Sequence, residues 1–136
     1  MIYTSYFAAM KKMTPYQRAS CVSISLYTPK GICIPRYEIL APKKEILKIY
    51  KETHDEKGYT IDYNNYLRSL DPKIVENDLK NRIILCFESP EKFCHRHLVA
   101  KWLNDNGIKC EELRFKEKVK PELQKVQTKY EQLTLL

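Results

Sequence analysis

Four side chains with reactive chemistry fall within nine residues: Glu88, Cys94, His95 and Arg96. Cys94 is a candidate nucleophile, because a thiolate at the start of a helix is stabilised by unpaired backbone N–H groups and by the positive end of the helix dipole. Glu88 is a candidate general base or acid, His95 a proton carrier, and Arg96 a planar fork for phosphate or carboxylate. The plainer reading makes Cys94 a small buried residue that closes a loop and pairs Arg96 with Glu88 or Glu91. If Cys94 and His95 both lie in a helix, adjacent positions diverge by about 100°, which weakens a Cys–His dyad. Cys94 and His97 share a helix face at i, i+3. Zinc needs two further ligands, which only His54 and scattered cysteines offer, so no metal and no other cofactor is expected.

These residues need a strand, a loop and a helix to hold them. Ile83 to Phe87 is a continuous apolar run, too short for a helix and suited to a strand covered on both faces, as in a parallel sheet. From His95 onward Leu98, Val99, Trp102 and Leu103 recur at helical spacing, and Asn106-Gly107 supplies the stop. Upstream, Ile2 to Phe7 reads as a strand, Ala8 to Met13 as a short helix broken at Thr14-Pro15, and Cys21 to Leu26 as a second strand. Tyr27 to Pro42 holds four breakers, Pro29, Gly31, Pro35 and Pro42, and is expected to be an irregular loop. Three helices are predicted next. The first starts at Pro42 and ends near Lys57-Gly58; the second carries Tyr63, Tyr66 and Leu67, with Thr60 or Asp62 as cap; the third is capped by Asp71. Tyr59, Tyr63 and Tyr66 suit either a stacking surface or a core with hydroxyls at its rim. Ile108 to Leu113 alternates like a last, partly exposed strand.

Several blocks of this sequence resemble the family called domain of unknown function 488. They are Ile84-Leu85-Cys86-Phe87-Glu88, then Phe93-Cys94-His95-Arg96-His97-Leu98-Val99-Ala100 and Trp102-Leu103, with Met1 to Ala8 and Ser23-Ile24-Ser25 upstream. The resemblance spans Met1 to about Leu113. It implies a small α/β domain of bacterial or phage type and assigns no activity.

The expected fold is a small three-layer α/β domain with a mainly parallel sheet of about four strands flanked by helices. It occupies residues 1–113 and is followed by a basic amphipathic tail, 114–136. If three strands run parallel, their carboxyl ends share the edge where open α/β sheets bind ligands. Thr4, Ser5, Tyr6, Ser25 and Tyr27 would then join Glu88, Ser89, Cys94, His95 and Arg96 around a pocket for an anionic small molecule or nucleotide, with Ser5, Tyr6, Ser25 and Arg96 as its binding residues.

Charge suggests a second class of partner. Residues 1–44 carry seven Lys or Arg against Glu38 alone, residues 45–113 carry a net −2, and the tail a net +3, within a total of +7. A basic first third attracts polyanions, so a nucleic-acid-binding module using that third and the Tyr27 to Pro42 loop stands beside the small-ligand reading. A protein-interaction domain is a third. Leu123, Val126, Tyr130 and Leu133 make an apolar stripe in the tail, through which a homodimer could form. No window has the roughly 18 apolar residues of a membrane span and no signal-peptide order is present, so no membrane and a cytoplasmic location are expected. Five cysteines without a CxxC pair suggest no disulfide framework.

Overall fold

A computed structural model describes residues 1–115. The expected stripe in the tail lies outside them. Four strands, β1 (Ile2–Tyr6), β2 (Cys21–Ser23), β3 (Ile83–Cys86) and β4 (Cys110–Glu112), form an all-parallel sheet in the order β2-β3-β1-β4. β-branched and apolar residues fill β3, which is buried throughout, as a strand covered on both faces requires. The molecule has the α/β fold that the sequence implied.

Among the described residues five α-helices connect the strands: α1 (Pro15–Ala19), α2 (Lys44–Thr53), α3 (Glu56–Arg68), α4 (Pro72–Leu79) and α5 (His95–Asp105). Side-chain alternation decides which face each strand residue serves. Ile2, Val22, Ile24 and Ile84 pack with Tyr59, Tyr63 and Leu67 of α3, Val75 and Leu79 of α4, and Val99 and Leu103 of α5. The opposite face, with Cys21, Ile83 and Leu85, is covered by Phe7, Ala9 and Met13 around a 3-10 helix (Phe7–Lys12) and by Ile32 and Ile34 of the long loop. One face is therefore helical and the other thin.

The structure differs from the sequence reading at several element ends: β2 closes at Ser23 rather than Leu26, and β4 spans Cys110–Glu112 rather than Ile108 to Leu113. Thr14-Pro15 begins a helix as well as ending one, because Thr14 and Gln17 form a reciprocal capping box with Pro15 in the first turn. α2 stops at Thr53, where His54 takes a left-handed conformation (φ 54°), and Asp55 then caps α3 by accepting from the Gly58 N–H. The cap is Asp55, not Thr60 or Asp62. Finally, β3 ends at Cys86, leaving Phe87 half exposed against the ring of Phe7. Asp71 caps α4 as expected. No helix among the described residues is long and apolar enough to cross a membrane.

Candidate functional site

The carboxyl ends of β1, β2 and β3 do meet at one edge, and a cavity of about 790 Å³ opens there, within the usual range for small-ligand sites. Its walls are aromatic on one side, with Tyr50 and Tyr59 packed edge-on against each other and both against Phe93. On the other side lie Ser25, Cys86, Glu88, Cys94 and His95. Charged residues of both signs line it: Lys51 and Lys92 beside Glu56, Glu88 and Glu91.

Cys94 occupies the cap position of α5 with extended backbone (φ −155°, ψ 146°), so the 100° divergence of adjacent helical residues does not apply to it. Its Sγ stands 3.7 Å from His95 Nδ1. The other ring nitrogen, Nε2, is 2.7 Å from the Ile24 carbonyl oxygen, to which it donates, leaving Nδ1 as the lone-pair side facing sulfur. Burial lowers the His95 pKa from 6.5 to about 4, with the Ile24 bond opposing and Arg96 assisting, so the ring is neutral at pH 7. The sequence expectation against a Cys–His pair is corrected on this point.

Cys94 also touches a residue that sequence reasoning left out of the site. Cys86, the last residue of β3, and Cys94 are joined as a disulfide across the strand-to-helix loop. The sequence, which suggested no disulfide framework, did not single out this pair. The usable signal was alternation: Cys86 shares a face with Ile84, which looks towards α5. Cys86 Sγ, Cys94 Sγ and His95 Nδ1 all lie within 4.8 Å of one another, whereas the Cys94–His97 pair offered by helical spacing is not the cluster that forms. The remaining thiols are different in kind. Burial pushes Cys21 up to about 11 and Cys110 up to about 12, and Cys33 is exposed.

Arg96 is placed otherwise than expected. It is fully buried and does not line the cavity. Its Nε donates to Glu112 Oε1 at 2.9 Å, its Nη2 lies 2.8 Å from the same oxygen, and its Nη1 donates to Cys86 Sγ at 2.9 Å and to the Glu88 carbonyl. Thr4 donates its hydroxyl to the other carboxylate oxygen of Glu112 at 2.9 Å. The carboxylate that the guanidinium recognises belongs to β4. Arg96 is thus a clamp between β3, its loop and β4.

The expected convergence is therefore partial. Ser25, Tyr27, Glu88, Cys94 and His95 come together; Thr4, Ser5, Tyr6, Ser89 and Arg96 do not join them. Ser5 is in register with Leu85 and so shares the thin face, across the sheet from Cys86. The Tyr6 ring lies 5.8 Å from the Arg96 guanidinium carbon. Ser25, by contrast, is 5 % exposed, lines the cavity, and leaves its Oγ without a hydrogen-bond partner. Glu112, Cys86 and the aromatic wall were not identified from sequence, since each depends on which elements become neighbours.

No curated protein and no solved structure matches the chain. The family model described as the active DUF488-N3 subclade matches residues 12–107, and the chain belongs to the DUF488 family.

Proposed function

We propose that this protein binds a phosphate-bearing or otherwise anionic small ligand of nucleotide type in the cavity, with chemistry at its Cys94–His95 end. The observation that carries the reading is the meeting, in one space, of an aromatic wall, the start of α5 and the unpartnered Ser25 hydroxyl. A planar base suits the edge-and-face surfaces of Tyr50, Tyr59 and Phe93. An anionic group suits the helix start, where the Cys94 side chain makes no capping hydrogen bond and so does not compete for the backbone N–H groups. Because Lys51 and Lys92 are balanced by Glu56, Glu88 and Glu91, anion recognition falls to these local dipoles rather than to net charge.

In the reduced protein, His95 Nδ1 is the acceptor for the Cys94 thiol proton, and the Ile24 carbonyl fixes the tautomer that makes it one. Glu88 at the cavity mouth serves as acid or base for a leaving group. The matched subclade is described as active, which favours an enzyme over a purely structural domain.

Thermal unfolding of the reduced protein with purine and pyrimidine mononucleotides tests the reading. Binding at 100 times Kd adds about 2.7 kcal/mol of stability. The gain should shrink on Phe93→Ala and on filling the cavity with Ser25→Leu. Stabilisation that is equal in both variants places the ligand elsewhere. Stabilisation only by mixed oligonucleotides, and falling steeply with salt, would replace this reading with the nucleic-acid-binding one.

A further inference from the structure

We propose that Cys86, Cys94 and His95 form a binding site for a thiophilic divalent cation of the zinc class, with its fourth coordination position opening on the cavity. The inference concerns the same cavity as the ligand reading but does not require that a nucleotide bind there.

Three independent features of geometry support it. First, zinc–sulfur and zinc–nitrogen bonds of about 2.3 and 2.0–2.1 Å at a tetrahedral angle put ligand sulfur and nitrogen about 3.6 Å apart. Cys94 Sγ and His95 Nδ1 are 3.7 Å apart. Second, a metal-ligating histidine characteristically gives its other N–H to a backbone carbonyl or carboxylate, which fixes the ring and directs the free lone pair. His95 does so through Nε2 to Ile24 at 2.7 Å. Third, the fully buried Arg96 donates to Cys86 Sγ at 2.9 Å, the contact expected of a group that supports a thiolate ligand from outside the metal. In addition, the Cα atoms of Cys86 and Cys94 are 7.3 Å apart, and reduction of the disulfide leaves both sulfurs beside the same His95 nitrogen. Two thiolates sharing one tetrahedral ion bridge that separation readily.

Loading starts from the oxidised pair. A dithiol reductant supplies two electrons and two protons, which break the Cys86–Cys94 bond and leave two thiols; the reductant becomes its own disulfide. The cation then displaces both thiol protons to solvent, forming two metal–sulfur bonds and one bond to His95 Nδ1. Three protein ligands and one open position are the pattern of catalytic rather than structural zinc sites. Because the three ligand residues also line the cavity, the open position is available to water or to an anionic group of a ligand. In the loaded protein Cys94 is a ligand, and free-thiol attack by it does not operate.

The test is a Co2+ titration of the full, reduced chain under anaerobic conditions, followed by competition with Zn2+. Co2+ accepts the same tetrahedral ligand sets and reports thiolate bonds through an intense near-ultraviolet charge-transfer band. The expected result is saturation at one ion per chain, loss of that band in Cys86→Ala and Cys94→Ala, and at least a tenfold weaker binding in His95→Ala. Replacing Cys21, Cys33 and Cys110 by Ala should preserve the band. An absent band, or one undiminished in the Cys86 and Cys94 variants, overturns the site. Alkylation mapping of the wild-type chain guards against misfolded variants: the cation should protect Cys86 and Cys94 while exposed Cys33 still labels, and equal labelling with and without it also overturns the site. Mononucleotide stabilisation measured with a chelator present separates the two readings, since its survival alongside a failed titration removes the metal and leaves the ligand.

Discussion

Arg96 and His95 show how much one residue's surroundings change its meaning. An arginine beside a helix start reads as a phosphate fork, yet here the guanidinium is enclosed and neutralised by Glu112. Removing one partner of such a pair strands a buried charge, at about 3–5 kcal/mol. Glu112→Ala should therefore lower urea-measured stability by about 3 kcal/mol, while a loss under 1 kcal/mol would mean that water already reaches the guanidinium. His95 makes a prediction in pH. Its folded pKa, about 4, lies below the unfolded value of 6.5, so the unfolded chain binds more protons between these limits. The stability it contributes is complete above pH 6.5 and is lost as pH falls towards 4, about 3 kcal/mol in all. His97, also lowered chiefly by burial, adds a slope of the same sign. In reduced protein with chelator, His95→Gln should flatten the acid limb without abolishing it; an unchanged limb would show that His95 is solvated.

At the scale of elements, the sequence was most legible where a single chain segment decides the outcome. The apolar run Ile83 to Phe87, the cap Asp71 and the breakers of the Tyr27 to Pro42 loop each predict their local structure from their own chemistry; the cap matches, the strand falls one residue short at Cys86, and the loop holds only a single 3-10 turn, Glu38–Leu40. The second helix shows why other details were not legible: its cap depends on Asp55 reaching back to Gly58, and its tyrosines depend on which loop passes over them. Tyr63 and Tyr66 resolve the choice between stacking surface and core, because their hydroxyls donate to the carbonyls of Leu40 and Ile39 at 2.5 Å each. They tie α3 to the end of the long loop, next to Pro42 on the cavity wall. Tyr63→Phe leaves the buried Leu40 carbonyl unpaired and should cost about 1–3 kcal/mol by denaturant unfolding. A neutral result would show that the loop is held by packing alone.

For the molecule as a whole, the cavity opens at the carboxyl edge of the parallel strands, where such sheets bind ligands, but the pleat determines which residues reach it. The sequence identified the edge and five of the side chains that line its cavity. It overcounted by Thr4, Ser5, Tyr6, Ser89 and Arg96 and omitted Cys86 and the aromatic wall, because face and neighbour are properties of the assembled sheet. The basic first third is likewise visible in sequence, and within its loop the exposed Arg36 donates to the Leu26 carbonyl at 2.7 Å and pairs with Glu38. Amide NMR of the reduced, isotope-labelled chain during titration with a mononucleotide discriminates these surfaces most directly. A ligand in the cavity should give saturable shifts at Ser25, Tyr27, Glu88 and Lys92 to Arg96. Shifts confined to Lys11, Lys12, Lys30 and Arg36, or no saturable shift at all, would contradict a ligand site at the Cys94 end of the sheet.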